Sequence, residues 1–375
     1  MKKIQLVLAD PDPAYVESVA AYIRTSDEES RFHLKLFTEK SRLHDYLHNQ
    51  PFIDILIISP QMLSDPSEPH PTDLTIVLED ERILEYQADF PSVFKYQPLN
   101  QLLSEVLSIY YEKRGRVKDI GNNKRKTSVM AVYSATGGVG KTTLAVNLCK
   151  QLALSGQKVF YLNLELLHST SLFFSSAETH HSSRILYYLK AIPDQLISKV
   201  ESLKKYDPYL KVDYFDLPVN PEEMRDLTEK DTETLIASLI ETEHYDSIII
   251  DLDSSVEERC RASIKQSDRI FWLLNNDLQS FHKTSFLLDT CDPIFGEKVD
   301  VNKKATLILN KHTGQQQPPD HVSHFNLPIQ HFLPYIPEWK NVYQGSRILT
   351  SAIFSDELIP LVNTSTNALG GGEHG

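Results

Sequence analysis

The stretch SATGGVGKTTLA, residues 134–145, has three glycines followed directly by a lysine and two threonines. A strand pattern from Val129 to Tyr133 precedes it. A helical pattern with leucines at 144, 148 and 152 follows, and Gly156 is placed to end that helix. Glycines let successive backbone N–H groups point inward, and the N-terminus of the following helix adds positive potential. This order of strand, glycines, Lys-Thr and helix predicts a phosphate-binding loop.

Within this loop, two side chains have specific roles in phosphate chemistry. Lys141 would reach the β- and γ-phosphates of a nucleoside triphosphate, and the hydroxyl of Thr142 would ligate Mg²⁺. Position 135, where such loops usually have glycine, is alanine. The alternative interpretation is a glycine-rich turn without a ligand. The residues assigned to nucleotide binding are Gly137, Gly138, Val139, Gly140, Lys141, Thr142 and Thr143.

A phosphate-bound Mg²⁺ also needs a carboxylate from a neighbouring strand. The run YDSIIIDLD supplies one, because the apolar stretch from Ser247 to Ile250 ends in Asp251, with Asp253 two residues later. Ligands of open α/β sheets bind at the carboxyl ends of the strands. Asp251 is therefore the candidate that holds Mg²⁺ through water. The alternative is an acidic cap at a strand end.

Composition indicates an ordinary soluble protein of 375 residues, 41% hydrophobic and 24% charged. Its net charge of −13 argues against broad binding to nucleic acid or anionic lipid. Three widely spaced cysteines, at 149, 260 and 291, favour a reducing cytoplasm over disulfides or zinc. No apolar run approaches the ~20 residues that cross a bilayer, and the N-terminal run is too short for a signal peptide. We therefore expect a cytoplasmic protein.

Alternating strand and helix patterns predict two doubly wound α/β domains, each with a mostly parallel sheet. The first covers 1–112, with strands at 4–10, 54–59, 74–80 and 93–96 and a helix at 99–111. The second covers 128–362, and the tail 363–375 is predicted to be disordered. Its seven predicted strands lie at 128–135, 158–165, 211–218, 247–253, 269–276, 304–310 and 329–335.

Residues 113–127 are predicted to form a linker between the two domains. Its segment 113–126 carries seven Lys/Arg and one Asp, with few residues able to enter a core. One interpretation is a solvated spacer. The other is a contact with a polyanion, either phospholipid or DNA.

The ordered motifs of the second domain resemble the MinD/ParA class of P-loop ATPases, and within it the CpaE/TadZ branch. Three motifs carry the resemblance: TGGVGKTT at 136–143, NLE at 163–165, and LILN ending in Asn310. The resemblance implies ATP and Mg²⁺ as cofactors, a homodimer, and an adenine contact by Asn310. It also implies a role in positioning Tad/Flp-type pilus or secretion machinery, at the cell pole or the inner face of the membrane, with peripheral membrane association as an option.

Two departures from the class pattern concern hydrolysis. The loop lysine that reaches the partner's phosphates in the class is Thr136 here, which carries no charge. The first acid of the class's second strand is Asn163, and the second is Glu165, which can still orient a water. By resemblance the catalytic residues are Lys141, Glu165 and Asp251. We expect retained ATP binding with weak or absent hydrolysis.

The first domain resembles a receiver domain of two-component signalling, with changes at its phosphorylation site. Asp10 and Asp12 follow the first strand, but Ser59 ends the strand where the phosphorylated aspartate would stand. Gln97 precedes Pro98 where receivers have lysine. Asp10 and Asp12 could bind a cation, although helix N-capping is the favoured interpretation. We therefore expect a docking or dimerisation module without phosphotransfer.

Other residues give weaker signals. The histidines at 180, 181, 321, 324 and 331 lack metal-ligand spacing, and Trp272 is expected in the core. Two alternative functions remain: a ParA-like DNA-segregation ATPase, which the acidic composition disfavours, and a scaffold that acts without nucleotide.

Overall fold

Buried apolar runs of the sequence become the strands of two separate sheets. The computed structural model describes residues 3–49, 52–63, 72–81, 90–114, 127–176, 182–296, 300–314 and 327–370. The chain divides into an N-terminal unit, Met1–Gly121 with Asp194–Ser202, and a second unit, Asn122–Pro193 with Leu203–Gly375. Most of the predicted linker, residues 115–126, lies outside the described residues.

The N-terminal unit contains a five-stranded parallel sheet in the order β2-β1-β3-β4-β5, which is the flavodoxin-like order. Apolar clusters cover it on both faces. The strand β2 is missing from the sequence prediction because its run HLKLF alternates with polar residues at the edge of the sheet. The elements are β1 Ile4–Ala9, α1 Pro13–Thr25, β2 Phe32–Phe37, α2 Lys40–Asn49, β3 Ile53–Ile58, β4 Thr72–Glu79, β5 Ser92–Phe94 and α3 Leu99–Arg114.

The second unit contains an eight-stranded sheet in the order β13-β12-β11-β6-β10-β7-β9-β8, parallel except for β8. All seven predicted strands are present, and the three-residue β8 is additional. The strands are β6 Ser128–Tyr133, β7 Val159–Asn163, β8 Lys205–Asp207, β9 Val212–Tyr214, β10 Ser247–Asp251, β11 Arg269–Asn275, β12 Ala305–His312 and β13 Ile329–Pro334. The helices that follow α3 in the chain, all of them in this unit except most of α6, are α4 Lys141–Leu154, α5 Arg184–Ala191, α6 Leu196–Leu203, α7 Pro221–Arg225, α8 Glu229–Glu241, α9 Glu258–Gln266, α10 Leu278–Asp289, α11 Cys291–Phe295, α12 Val301–Lys304 and α13 Ala352–Gly370.

Residues 194–202, which include most of α6, belong to the N-terminal unit. There the guanidinium of Arg31 donates to both carboxylate oxygens of Glu201, at 2.6 and 3.1 Å, and both side chains are about 1% exposed. Arg31 also donates to the hydroxyl of Tyr111 at 3.0 Å, and Ser104 donates to the Glu201 carbonyl at 2.8 Å. The sequence prediction is a continuous second domain from 128 to 362, whereas contacts such as this one, made across 170 residues of sequence, group 194–202 with the N-terminal unit.

The helix α4 follows the central strand β6, as the loop motif predicts. Its leucines 144, 148 and 152 are fully buried against the sheet. Gly156 ends the helix with a left-handed φ of +88°, a conformation that glycine adopts without strain. Helix and sheet together hold the loop 134–140 at the carboxyl edge of the central strands.

The C-terminal segment differs from its prediction. The helix α13 continues to Gly370, so residues 363–370 are helical where the sequence predicts disorder, and 371–375 lie outside the described residues. The helix starts on buried apolar residues such as Phe354, Leu358 and Leu361, and the polar residues after them extend it. Within the described ranges, no helix is both long and apolar enough to cross a membrane.

Candidate functional site

The loop between β6 and α4 has the backbone that phosphate binding requires. Gly138 and Gly140 have left-handed φ angles of +70° and +98°. A Cβ atom on Gly140 would lie 2.5 Å from the amide nitrogen of Asn310, so any other residue there would collide with the end of β12. The loop therefore depends on glycine at position 140 for both conformation and space.

The two polar side chains at the start of α4 are held by partners on the neighbouring strands. Lys141 is 7% exposed as a residue, and its ammonium donates to the hydroxyl of Ser254 at 2.9 Å. The hydroxyl of Thr142 donates to a carboxylate oxygen of Glu165 at 3.2 Å. The structure thus brings the predicted phosphate-binding lysine and the predicted metal-binding threonine to one edge of the sheet, beside loops that follow β7 and β10.

Asp251 ends β10 with its carboxylate fully buried. One oxygen accepts from the hydroxyl of Tyr161 at 2.9 Å, and the other has no hydrogen-bond partner among the described residues. Burial, together with the nearby Glu165 carboxylate, raises the pKa of Asp251 to about 8. A buried carboxylate with a free acceptor beside Thr142 fits a divalent cation, which would stabilise its ionised form.

Because the pKa of Asp251 is raised, the folded protein keeps this proton up to about pH 8, whereas the unfolded chain loses it near pH 4. The unfolding free energy therefore falls as pH rises between these values. We expect Asp251→Asn to raise the melting temperature of the nucleotide-free protein at pH 8, by about 2–4 °C for each kcal/mol that the substitution adds to the free energy of unfolding. The gain should be smaller at pH 5. Thermal melts across this range test it, and an equal melting temperature for both proteins at every pH would contradict it.

Asn163 connects the two acids of the site. Its amide oxygen accepts from the backbone N–H of Glu165 at 2.8 Å, and its amide nitrogen donates to the Tyr161 hydroxyl at 2.9 Å. That hydroxyl in turn donates to Asp251. Burial raises the pKa of Glu165, and Lys141 partly counters this. An aspartate at 163 would lack the N–H donor and add a third carboxylate, so the departure at Asn163 fits this network.

Arg259 and Asp253 are functional candidates that the sequence analysis leaves without a role. The fully buried guanidinium of Arg259 pairs with Asp253 and with Glu257, and its Nε donates to the Leu164 carbonyl at 2.8 Å. Asp253 also accepts from the backbone N–H of Leu166 at 3.4 Å. The sequence offers little to identify this group, because Leu164 follows β7 whereas Asp253 and Glu257 follow β10, and only the fold brings them to Arg259 in α9.

Asn310 and Lys311, both in β12, hold the loop through its carbonyl groups. The Asn310 amide donates to the Val139 carbonyl at 2.7 Å, and Lys311 donates to the Gly138 carbonyl at 2.6 Å. Asn310 therefore fixes the loop, and its contact with adenine stays a prediction. Thr136 is part of the loop itself, and its hydroxyl lies 3.3 Å from that of Ser280. Because threonine is uncharged, position 136 contributes no positive charge to the loop.

In the N-terminal unit, the predicted acidic cluster is internally neutralised. Lys95 donates to both oxygens of the buried Asp10, at 2.8 and 3.0 Å, and Asp12 caps α1 as expected. The prediction that this site lacks a lysine is wrong, because β5 ends at Phe94 and places Lys95, two residues before Gln97, at the strand end. The buried hydroxyl of Ser59 has no partner among the described residues.

The remaining sequence candidates are Trp272 and the histidines. Trp272 is fully buried in the core, as predicted. Four histidines, at 180, 181, 321 and 324, lie outside the described residues. Over the ranges that the structure covers, no group of three or more His, Cys, Asp or Glu side chains could hold a metal ion by themselves. A Mg²⁺ here would depend on phosphate oxygens and water for its other ligands.

Comparison with known proteins agrees with this geometry. The sequence profile of an AAA domain family matches residues 127–303. The septum site-determining protein MinD of Thermotoga maritima is 28% identical over 153 residues, which are 40% of this chain and 53% of that protein. An ATPase ASNA1 homolog of Babesia bovis is 26% identical over 114 residues, 29% of this chain and 31% of that protein. The matched residues thus span about half the length of the MinD protein and about a third of the length of the ASNA1 homolog.

A solved structure shares the fold of the second unit. The crystal structure of a ParA family ATPase from Chlorobium tepidum superposes with a TM-score of 0.54 at 19% identity, and the match covers 64% of this chain and 99% of that one. At this identity the likeness concerns the fold alone. It agrees with the predicted α/β class and its mostly parallel sheet.

Proposed function

We propose that this chain, whose second unit is a P-loop ATPase domain of the MinD/ParA type, is an ATP-binding assembly factor of the CpaE/TadZ kind. It would position Tad/Flp-type pilus or secretion machinery through nucleotide-dependent dimerisation, with weak or absent hydrolysis. The observation that carries the proposal is the convergence of a glycine loop, Lys141, Thr142 and the free acceptor of Asp251 at one sheet edge.

The residues present would divide the work of binding as follows. Backbone N–H groups from Gly137 to Thr143 would surround the phosphates at the N-terminus of α4. Lys141 would leave Ser254 and donate to phosphate oxygens, and Thr142 and Asp251 would hold Mg²⁺, directly and through water. The metal, when bound, neutralises phosphate charge. Thr142 would then exchange its bond to Glu165 for the metal.

Weak hydrolysis follows from the charges available beside the loop. Thr136 is uncharged, and Arg259 is already paired with Asp253 and Glu257. A cationic side chain that stabilises the transition state is worth about 10³–10⁵ in rate in comparable chemistry. Glu165 remains to orient a water. This arrangement favours a long-lived ATP-bound state.

The N-terminal unit would serve as the docking module for assembly partners. Ser59 cannot accept a phosphoryl group as an aspartate does in a receiver, and Lys95 already occupies both oxygens of Asp10. These two features support a constitutive protein-binding role over a phosphorylation switch.

Sizing in solution tests binding and its consequence together. We expect light scattering after size exclusion to give a dimer with ATP and Mg²⁺ and a smaller species with ADP or without nucleotide. Calorimetry on the same samples separates the steps. Binding without a change in mass would remove the dimerisation proposal, and absence of binding would leave the nucleotide-independent scaffold.

The ParA-like fold favours one alternative, a DNA-segregation ATPase. The basic segment 113–126 would then contact DNA phosphates. A gel shift at several salt concentrations discriminates, since phosphate contacts give a steep loss of affinity with salt. Absence of a gel shift at micromolar protein would exclude the DNA-segregation ATPase.

A further inference from the structure

We infer that Arg259 is a positioning residue for the metal site: with Asp253, it fixes the backbone on both sides of Glu165 and so keeps that carboxylate beside Thr142. The inference rests on the proposed function, because it concerns how the same site would respond to Mg²⁺. It assigns a role to an ion pair, between the buried Arg259 and the partly exposed Asp253, that the binding loop itself does not use.

Three consecutive residues after β7 are held by separate polar contacts. The Leu164 carbonyl accepts from Arg259 Nε at 2.8 Å, and the Glu165 N–H donates to Asn163 at 2.8 Å. The Leu166 N–H donates to Asp253 at 3.4 Å. Arg259 and Asp253 are themselves paired, so one ion pair restrains the backbone before and after Glu165.

The Glu165 side chain then has a defined direction. Its carboxylate accepts from the Thr142 hydroxyl at 3.2 Å. A carboxylate held there adds negative charge where Thr142 and Asp251 would bind the metal. Partners that orient metal-site residues commonly matter about 10–100-fold for metal affinity.

An arginine that served only to stabilise the fold would not be expected at this position. The Arg259 side chain is fully buried, while its partners Asp253 and Glu257 are 20% and 37% exposed. Removing the guanidinium charge from water costs free energy that an apolar side chain of similar volume would not cost. Its planar guanidinium places Nε on Leu164 while its terminal nitrogens reach Asp253 and Glu257, a geometry that lysine cannot reproduce. Lysine keeps the charge, so Arg259→Lys isolates the geometric role.

The test uses the full chain and two readouts. First, we expect Arg259→Lys to reduce the gain in ATP affinity that Mg²⁺ gives, measured by calorimetry with Mg²⁺ and with EDTA, by about 10–100-fold. The affinity in EDTA should stay within about twofold of wild type, as expected from retained charge. Second, backbone amides of 164–168 should exchange hydrogen faster in the nucleotide-free variant. Arg261→Lys, on the same helix but paired with Glu229 at the surface, is the matched control.

A double-mutant comparison identifies Glu165 as the residue through which Arg259 acts. Glu165→Gln should lower the Mg²⁺ gain by itself, and adding Arg259→Lys should lower it little further, because the two residues form one unit. Additive losses would overturn the inference. So would a loss of affinity that is equal in Mg²⁺ and EDTA, which would indicate a merely structural role.

Two further outcomes are decided by the exchange readout. If the wild type binds no ATP, the proposed function fails. The positioning role is then decided by hydrogen exchange at 164–168 in Arg259→Lys. Unchanged exchange would overturn that role, and faster exchange would uphold it. If Arg259→Lys does not fold, Asp253→Asn cuts the same ion pair with a side chain of equal size and carries the same expectations.

Discussion

Replacing Lys141 by alanine should lower the affinity for ATP–Mg²⁺ by about 100-fold or more. The ammonium would donate charge-assisted hydrogen bonds to at least two phosphate oxygens, each worth about 1.5–3 kcal/mol. At 1.4 kcal/mol for each tenfold change, two such bonds correspond to roughly two orders of magnitude or more. Calorimetry in saturating Mg²⁺ measures the difference directly.

The Lys141→Ala variant should still fold, because in the nucleotide-free protein the ammonium bonds only to the Ser254 hydroxyl among the contacts of the described residues. Lys303→Ala is a suitable control, since it removes one positive charge from an exposed pair with Asp300. Equal ATP affinity in wild type and Lys141→Ala would show that the loop persists only as part of the fold.

The second large effect concerns stability. Arg31→Ala should destabilise the N-terminal unit by about 3–5 kcal/mol, because it removes the guanidinium that pairs with the buried Glu201 carboxylate. Glu201→Ala should destabilise it less, because Arg31 keeps its ion pair with Glu28 at 3.7 Å. In Arg31→Ala the Glu201 carboxylate loses both hydrogen bonds that Arg31 donates, and the Ser104 bond cannot replace them because it is made to the Glu201 backbone carbonyl. Denaturant unfolding followed by hydrogen exchange would locate the loss in the N-terminal unit.

A paired apolar replacement separates the cost of an orphaned charge from the worth of the ion pair. We expect the double variant Arg31→Met with Glu201→Leu to recover most of the stability that either alanine variant loses, since well-packed apolar pairs often match buried ion pairs. The pair Arg24–Glu17, which is exposed, provides the control, and breaking it should change stability by less than about 1 kcal/mol. A double variant as unstable as the sum of its single variants would contradict this account.

Local patterns predict much of the second unit and its site. The strand before the loop, the glycines, Lys141 and the helix α4 follow one another within 30 residues, so their arrangement is set by the chain itself. Asp251 could be placed because carboxyl ends of parallel strands share one edge of a sheet. The apolar run from Ser247 to Ile250 made that strand recognisable, and the structure buries it completely.

Residues whose roles depend on distant partners could not be predicted in this way. Arg31 meets Glu201, Arg259 meets Leu164, and Lys95 meets Asp10 across 170, 95 and 85 residues respectively. Neither partner of such a pair has periodicity or spacing that identifies the other. The supporting role of Asn310 was missed for the same reason, since its amide bonds to a loop carbonyl 171 residues earlier.

The inclusion of 194–202 in the N-terminal unit bears on how the protein is made. Translation supplies residues up to 121 first, but the unit cannot close its Arg31–Glu201 contact until residue 202 has left the ribosome, 81 residues later (202 − 121). At about 5–20 residues per second this is a delay of roughly 4–16 s. During that interval Arg31 of the nascent chain has no Glu201 to contact. A chaperone that binds the N-terminal unit then would bind it in this incomplete state, and a product terminated before Glu201 would stay in it.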